Sequence, residues 1–271
     1  MIPSSFTYQK SNSVDDAIKA LTGDSKLLAG GHSLIPSLKL RLNNTGKLID
    51  ISSIAALKGI TEASGAIVIG AGTTHAEVAT NKIVQSKFPM LAQTAKTIGD
   101  IQVRNKGTIG GSLAHADPAA DWTAAVLAAD ATIVAKGSKG ERKIKATDFF
   151  KGMFTTALQE GEIITSIHFP IPSGKSVYLK FSQPASRFAI VGCAVVRNGD
   201  KTNIAFTGVS ATAFRDAAAE KAAGKLDPTS IEAASQAAAA GVSILSDNFA
   251  SEKYRKHLAK VFLKRALEVV A

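Results

Sequence analysis

Gly107-Thr108-Ile109-Gly110-Gly111-Ser112-Leu113-Ala114-His115-Ala116-Asp117-Pro118 is the stretch on which the reading of this fold turns. Bare glycine backbone lets a ligand approach the main chain closely. Successive N–H groups in such a turn form a concavity for anions, and Thr108 and Ser112 add hydroxyls. Upstream, Leu28-Ala29-Gly30-Gly31-His32-Ser33-Leu34-Ile35-Pro36 repeats the same logic, with Gly30 and Gly31 free to take positive φ and Ser33 as a further donor. One such loop serves equally well as a plain turn between strand and helix. Two of them point to a long diphosphate ligand held from two sides.

Working outward, Asp117 before Pro118 has the form of a helix cap followed by a proline at the first helical position, which predicts a helix from Pro118 to about Ala129. Asp121 lies a turn further on without a capping duty. It either accepts from a sugar-type hydroxyl of the ligand or is a solvated surface carboxylate. Short strands are expected at Lys26–Ala29, Lys47–Ile51, Ala66–Ile69, Ala131–Ala135 and Glu162–Phe169. Capping patterns at Ser13 and at Thr74/Glu77 start helices, and Pro89–Ile98 is another. The prolines at 170 and 172 mark a domain junction. Beyond them come strands near Val177–Phe181, Ala189–Arg197 and Asn203–Ser210, the last two joined by an Asn198-Gly199 hairpin turn. An alanine-rich helix follows at Ile231–Val242. A final helix at Glu252–Val270 carries Tyr254, Leu258, Val261, Phe262 and Val269 on one face and a solvated basic face opposite.

Gly70-Ala71-Gly72-Thr73-Thr74-His75 follows a strand and opens a helix, as a dinucleotide fingerprint does. His75 replaces its third glycine, and no acidic residue stands where the ribose partner belongs, in the stretch Ala92–Lys96. The glycines are read instead as permitting a tight turn. The five histidines show no metal-ligand spacing. One cysteine, Cys193, excludes an internal disulfide, a zinc cluster and an iron–sulfur centre, and its apolar neighbours make it a buried core residue. Hydrolytic machinery is missing, which favours chemistry done by a bound cofactor. At 271 residues, 45% hydrophobic and 20% charged, the chain is an ordinary globular protein. Its net charge of +10 is spread over scattered lysines with few aromatics, so nucleic acid is not expected as a partner. No apolar run spans a bilayer and no signal core precedes the fold, so the expected location is cytoplasmic.

Taken together, the two glycine motifs resemble the FAD-binding medium subunits of molybdenum hydroxylases, of the carbon monoxide dehydrogenase type, with the xanthine dehydrogenase flavin domain a more distant relative. The resemblance continues through Gly70–Thr74, Phe149–Gly152, Glu162–Ile167 and Gly208–Thr212. It implies an α+β fold of the PCMH, or vanillyl-alcohol-oxidase, type. Two subdomains, about 1–54 and 55–172, would clasp FAD, and 173–271 would form a C-terminal domain with a three-stranded sheet and helices. Ala29, Gly30, Gly31, His32, Ser33 and Leu34, with Thr108, Ile109, Gly110, Gly111 and Ser112, match the positions that hold the FAD diphosphate and nearby groups. Ala114 and Asp121 match positions lining the flavin and its ribityl chain, and Ile164 one whose backbone lies near the isoalloxazine. FAD is bound without a covalent bond in this family, although His32 sits in the kind of Gly-Gly-His turn that some oxidases of the wider superfamily use for attachment. Where xanthine dehydrogenases place a lysine near the flavin, Ile190 stands nearest, with Arg187 before it.

The resemblance further implies an oxidoreductase subunit without catalytic side chains or metal of its own. The molybdenum cofactor would sit on a large molybdopterin-binding partner and 2Fe–2S clusters on a small one, in a dimer of heterotrimers. Electrons would pass from the clusters through FAD to an external acceptor. The alternative is a stand-alone flavin-dependent oxidase or dehydrogenase of the same superfamily.

Overall fold

The computed structural model describes residues 2–271 and folds them into an α+β protein with three main sheets. The first is small and parallel, in the order Thr7–Lys10, Lys47–Asp50, Ser25–Leu28. The second has five antiparallel strands, in the order Ile60–Ala63, Ala66–Gly70, Ile163–Pro170, Thr132–Gly137, Gly140–Lys145. Its central strand, Ile163–Pro170, carries a bulge between Ile164 and Ser166. The Thr165 carbonyl thereby accepts from the N–H of Ala71, in the turn after the neighbouring strand. Helices pack on this sheet around Trp122, Phe88, Phe149 and Phe169, all fully buried.

The third sheet runs Ser176–Ser182, Ala189–Asn198, Lys201–Thr207, Phe214–Arg215. Three of these strands were expected; the two-residue fourth one is an addition. Ala189–Val196 is buried on both faces and reads as an unbroken apolar run, which is what a strand covered on both sides requires. Tyr178, Ala194, Val196 and Ala205 face the helices of the N-terminal half. Val177, Val191, Cys193 and Val195 face the C-terminal helices instead. Burial pushes the Cys193 thiol well above its ordinary range, so it stays an inert core residue.

The local signals locate most helix starts. Ser13 accepts from Asp16 N–H at 3.0 Å, and Thr74 and Glu77 form a full capping box. Three expectations are corrected. The helix placed at Pro118 begins at Asp121, because Asp117 Oδ1 accepts from Ala119 N–H and caps a turn rather than a helix. The glycines Gly110 and Gly111 lie inside a helix, Ile109–His115, started by the Thr108 hydroxyl and ended by Ala116 in the left-handed region. The final helix, Glu252–Val270, has the expected bounds but a rotated inner face: Arg255, Leu258, Ala259, Leu263, Ala266, Leu267 and Val270 are buried, whereas Tyr254 and Val269 are exposed. Arg255 stays buried because its guanidinium donates to the Ile190 and Gly208 carbonyls and pairs with Asp247.

Candidate functional site

A cavity of about 1000 Å³ lies between the small parallel sheet, the five-stranded sheet and the edge of the C-terminal domain, at the upper end of ligand-pocket sizes. The strand Ser25–Leu28 runs out at its wall, and the chain turns there through Gly31 at φ +72°. Ala29, Gly30, Gly31, His32, Ser33 and Leu34 all line it. The backbone N–H groups of Gly30, Gly31, His32, Ser33 and Leu34 have no partner among the described residues. Ser33 stands at the N-cap of Leu34–Lys39 but makes no capping bond, so its hydroxyl is also uncommitted. His32 Nδ1 is bonded to the Gly30 carbonyl at 3.0 Å.

The second loop is built differently. Ile109 N–H donates to Thr73 O at 3.1 Å and Gly110 N–H to Ala71 O at 2.8 Å. Gly111 N–H goes to the Thr108 hydroxyl and Ser112 N–H to the Thr108 carbonyl. The expected row of free N–H groups is therefore absent here. What this helix offers the cavity is surface: Thr108, Gly110, Gly111, Ser112, Ala114 and His115 line it. A Cβ on Gly111 would meet only the Thr108 hydroxyl, at 2.8 Å, and otherwise open space. Ile109 is corrected: its side chain is fully buried in the core beneath the helix and does not line the cavity.

The two loops touch. A Cβ on Gly30 would stand 2.1 Å from the Lys106 carbonyl oxygen and 2.8 Å from Gly107 Cα. Gly30 is thus required for contact rather than for its own dihedrals. The turn Gly70–Thr74, set aside in the sequence, is the backing of the second loop. Besides accepting from Ile109 and Gly110, it bridges Thr74 to Thr108, and His75 N–H donates to Gly107 O at 3.0 Å. Gly110 fits because its bare face lies on Ala71, where a Cβ would come within 2.5 Å of the Ala71 Cβ.

Asp121 lines the cavity, and its carboxylate is engaged from the protein side. It accepts from the Tyr178 hydroxyl at 2.5 Å and pairs with Lys180 at 2.9 Å, all three deep inside. Lys180 also donates to the carbonyls of Thr97 and Arg187. Gly192 makes room for this, since a Cβ there would collide with the Tyr178 hydroxyl. Burial holds the Tyr178 phenol far above its ordinary range, so it remains a donor. The surface reading is replaced: Asp121 is buried, and it fastens the N-terminal half to the C-terminal sheet while its residue still lines the cavity. No spacing in the sequence links positions 121, 178 and 180, so pattern reading could not find this cluster.

Ile164 lines the cavity from the central strand. Ile190 packs in the C-terminal core, and the cavity is reached instead by Ser186, Arg187 and Phe188. The sequence also undervalued His75, whose buried ring lines the cavity. Among the described residues no group of His, Cys, Asp and Glu could hold a metal ion, and no helix is long and apolar enough to cross a membrane.

Comparison with known proteins gives the same picture from another side. Residues 4–172 match the family described as FAD binding domain in molybdopterin dehydrogenase, and residues 176–270 match the CO dehydrogenase flavoprotein C-terminal domain. The chain is 36% identical to the glyceraldehyde dehydrogenase medium chain of Sulfolobus acidocaldarius, covering 100% of both. It is 39% identical to the carbon monoxide dehydrogenase medium chain of Hydrogenophaga pseudoflava, covering 98% of this chain and 97% of that one. Among solved structures, the carbon monoxide dehydrogenase of the same organism superposes with a TM-score of 0.94 at 39% identity, covering 100% and 98% of the two chains. Quinoline 2-oxidoreductase from Pseudomonas putida 86 does so with a TM-score of 0.94 at 30% identity, with the same coverage.

Proposed function

From the premise that this chain belongs to the family of FAD-binding medium subunits of molybdenum-containing dehydrogenases, we propose that it is the electron-transfer flavoprotein component of a three-subunit complex. In this reading a large molybdopterin subunit oxidises the substrate, and a small 2Fe–2S subunit delivers electrons through FAD to an external acceptor. When bound, FAD supplies the exchange between one-electron carriers and a two-electron acceptor.

The protein's own residues have a narrower task. The observation that carries the reading is the row of unpartnered N–H groups from Gly30 to Leu34 on the wall of the cavity, a natural seat for a diphosphate. Ala29 completes that wall, and the exposed His32 and Ser33 side chains belong to it as well. Opposite, Gly111 leaves the space that a side chain would take from the cofactor, and Thr108, Ser112 and Ala114 shape its floor. Ile164 contributes the sheet side. Asp121 acts through Lys180 and Tyr178 by fixing the C-terminal domain, and with it Arg187 and Phe188, against the cavity. No side chain here needs to act as general acid or base. On this division residues 1–172 hold the cofactor and 173–271 close over it.

The purified chain should take up FAD reversibly and release all of it into acid. Carbon monoxide, aldehydes or purines should not bleach the flavin of the isolated chain, but the substrate of the assembled complex should bleach it there. Bleaching of the isolated chain would favour the stand-alone oxidase. Failure to take up FAD would remove the flavoprotein reading altogether.

A further inference from the structure

His75 is 4% exposed and opens the helix His75–Thr80 behind the second glycine loop. Its Nδ1 receives the indole N–H of Trp122 at 3.1 Å. An indole nitrogen only donates, so Nδ1 is the bare nitrogen of the ring and Nε2 carries the proton. That Nε2 has no hydrogen-bond partner among the described residues. The ring lies against Gly107, where a Cβ would come within 2.8 Å of Nε2. It lines the cavity together with Gly30, Gly31, His32 and Gly107, at the seam where the two loops touch. Burial above all, with the charges of His32 and Arg104 adding to it, lowers its pKa to about 4, so the imidazole is neutral near pH 7. Although the ring as a whole is buried, Nε2 is not among the sealed unpartnered atoms, so it keeps an opening onto the cavity that the residue lines.

We infer that His75 Nε2–H donates a hydrogen bond to the diphosphate of bound FAD, in a single tautomer fixed from behind by Trp122. The inference rests on the flavoprotein reading above. The free N–H groups of Gly30–Leu34 border the same seam, so the most acceptor-rich part of the cofactor belongs there. A chain of donors from indole to imidazole to phosphate is mutually polarising. The stretch Gly70–His75 would then serve a dinucleotide after all, through the residue that spoils its fingerprint.

Calorimetric titration of the full chain with FAD and with riboflavin, which lacks phosphate, tests this. His75→Phe should weaken FAD binding about ten- to hundredfold, the span of a hydrogen bond to a charged group, and change riboflavin binding by less than about threefold. His75→Gln, whose amide can accept from Trp122 and still donate, should return FAD affinity to within about threefold of wild type. In wild-type protein labelled with 15N-histidine, the Nε2–H resonance should move downfield with FAD and stay in place with riboflavin, a measurement that does not depend on either variant folding. Equal losses for both ligands, no rescue by glutamine, or an unmoved Nε2–H resonance would overturn the inference. Wild-type protein that binds no FAD would instead overturn the flavoprotein reading beneath it.

Discussion

Between Gly30 and Leu34 the N–H groups stand without partners, whereas between Ile109 and Ser112 each one is bonded inside the fold. The residue types are nearly the same in the two loops. The first hangs at the end of a small parallel sheet and keeps its polar groups for a ligand. The second leans on the Gly70–Thr74 turn, with Trp122 and the Asp121–Tyr178–Lys180 cluster beyond it, and has its N–H groups tied into the protein's own fold. Paired glycines therefore report close approach without saying to what. At Gly30 the approaching surface is the backbone of Lys106 and Gly107, and at Gly110 it is Ala71; at Gly111 only the Thr108 hydroxyl comes near and the rest is open space.

Damage on the braced side should fall on stability. Asp121→Ala leaves the Lys180 ammonium buried without its carboxylate, and urea unfolding should show a loss of about 4 kcal/mol. A loss below about 1 kcal/mol would mean that the cluster does not brace the second loop's side. Gly110→Val drives a side chain into Ala71 and should cost about 3 kcal/mol by the same measurement.

Acid should attack the same side. His75 is held at about 4 in the folded chain against an ordinary value of 6.5. Above the ordinary value it is neutral in both states and its contribution is complete. As pH falls from 6.5 towards 4 the unfolded chain takes up a proton that the folded chain refuses, so about 3 kcal/mol is lost across that window. Unfolding curves of wild type and His75→Gln, compared between pH 7 and pH 4.5, should differ by this component. Parallel curves would place the ring in a wetter setting than its burial indicates.

Gly111→Val is the exception that sharpens the contrast. It belongs to the braced loop but faces the open side, where it meets only the capping Thr108 hydroxyl, so the fold should lose no more than about 2 kcal/mol while FAD affinity falls at least about a hundredfold. Unchanged affinity would mean that the cofactor keeps its distance from the helix Ile109–His115.

Much of this architecture is legible in the residues because local chemistry dictates it. The Thr74–Glu77 box, the Asn198-Gly199 turn and the alternation around Ile163–Pro170 each act over a few positions. The strand Thr7–Lys10 escaped notice because it is an edge strand with mostly exposed side chains and no apolar alternation. Phe214–Arg215 is too short to carry a period. The helical state of Gly110 and Gly111 runs against glycine propensity and is imposed by bonds from the Ala71–Thr73 backbone. At the cavity, loop membership could be read for every proposed residue but one. The exception, Ile109, sits where helical geometry turns its side chain inward. The partners of Asp121 and His75 come from distant positions, and such pairings leave no periodicity behind.

Trp122 is the chain's single tryptophan, and it is bonded to the very ring that borders the cavity. Its ultraviolet emission therefore comes from one known place, behind the seam assigned to the diphosphate and on the same cavity that would hold an isoalloxazine, which absorbs in that emission band. The molecule thus carries its own occupancy gauge: the glow of an empty chain should dim by energy transfer as the cleft fills, with no dye or label attached.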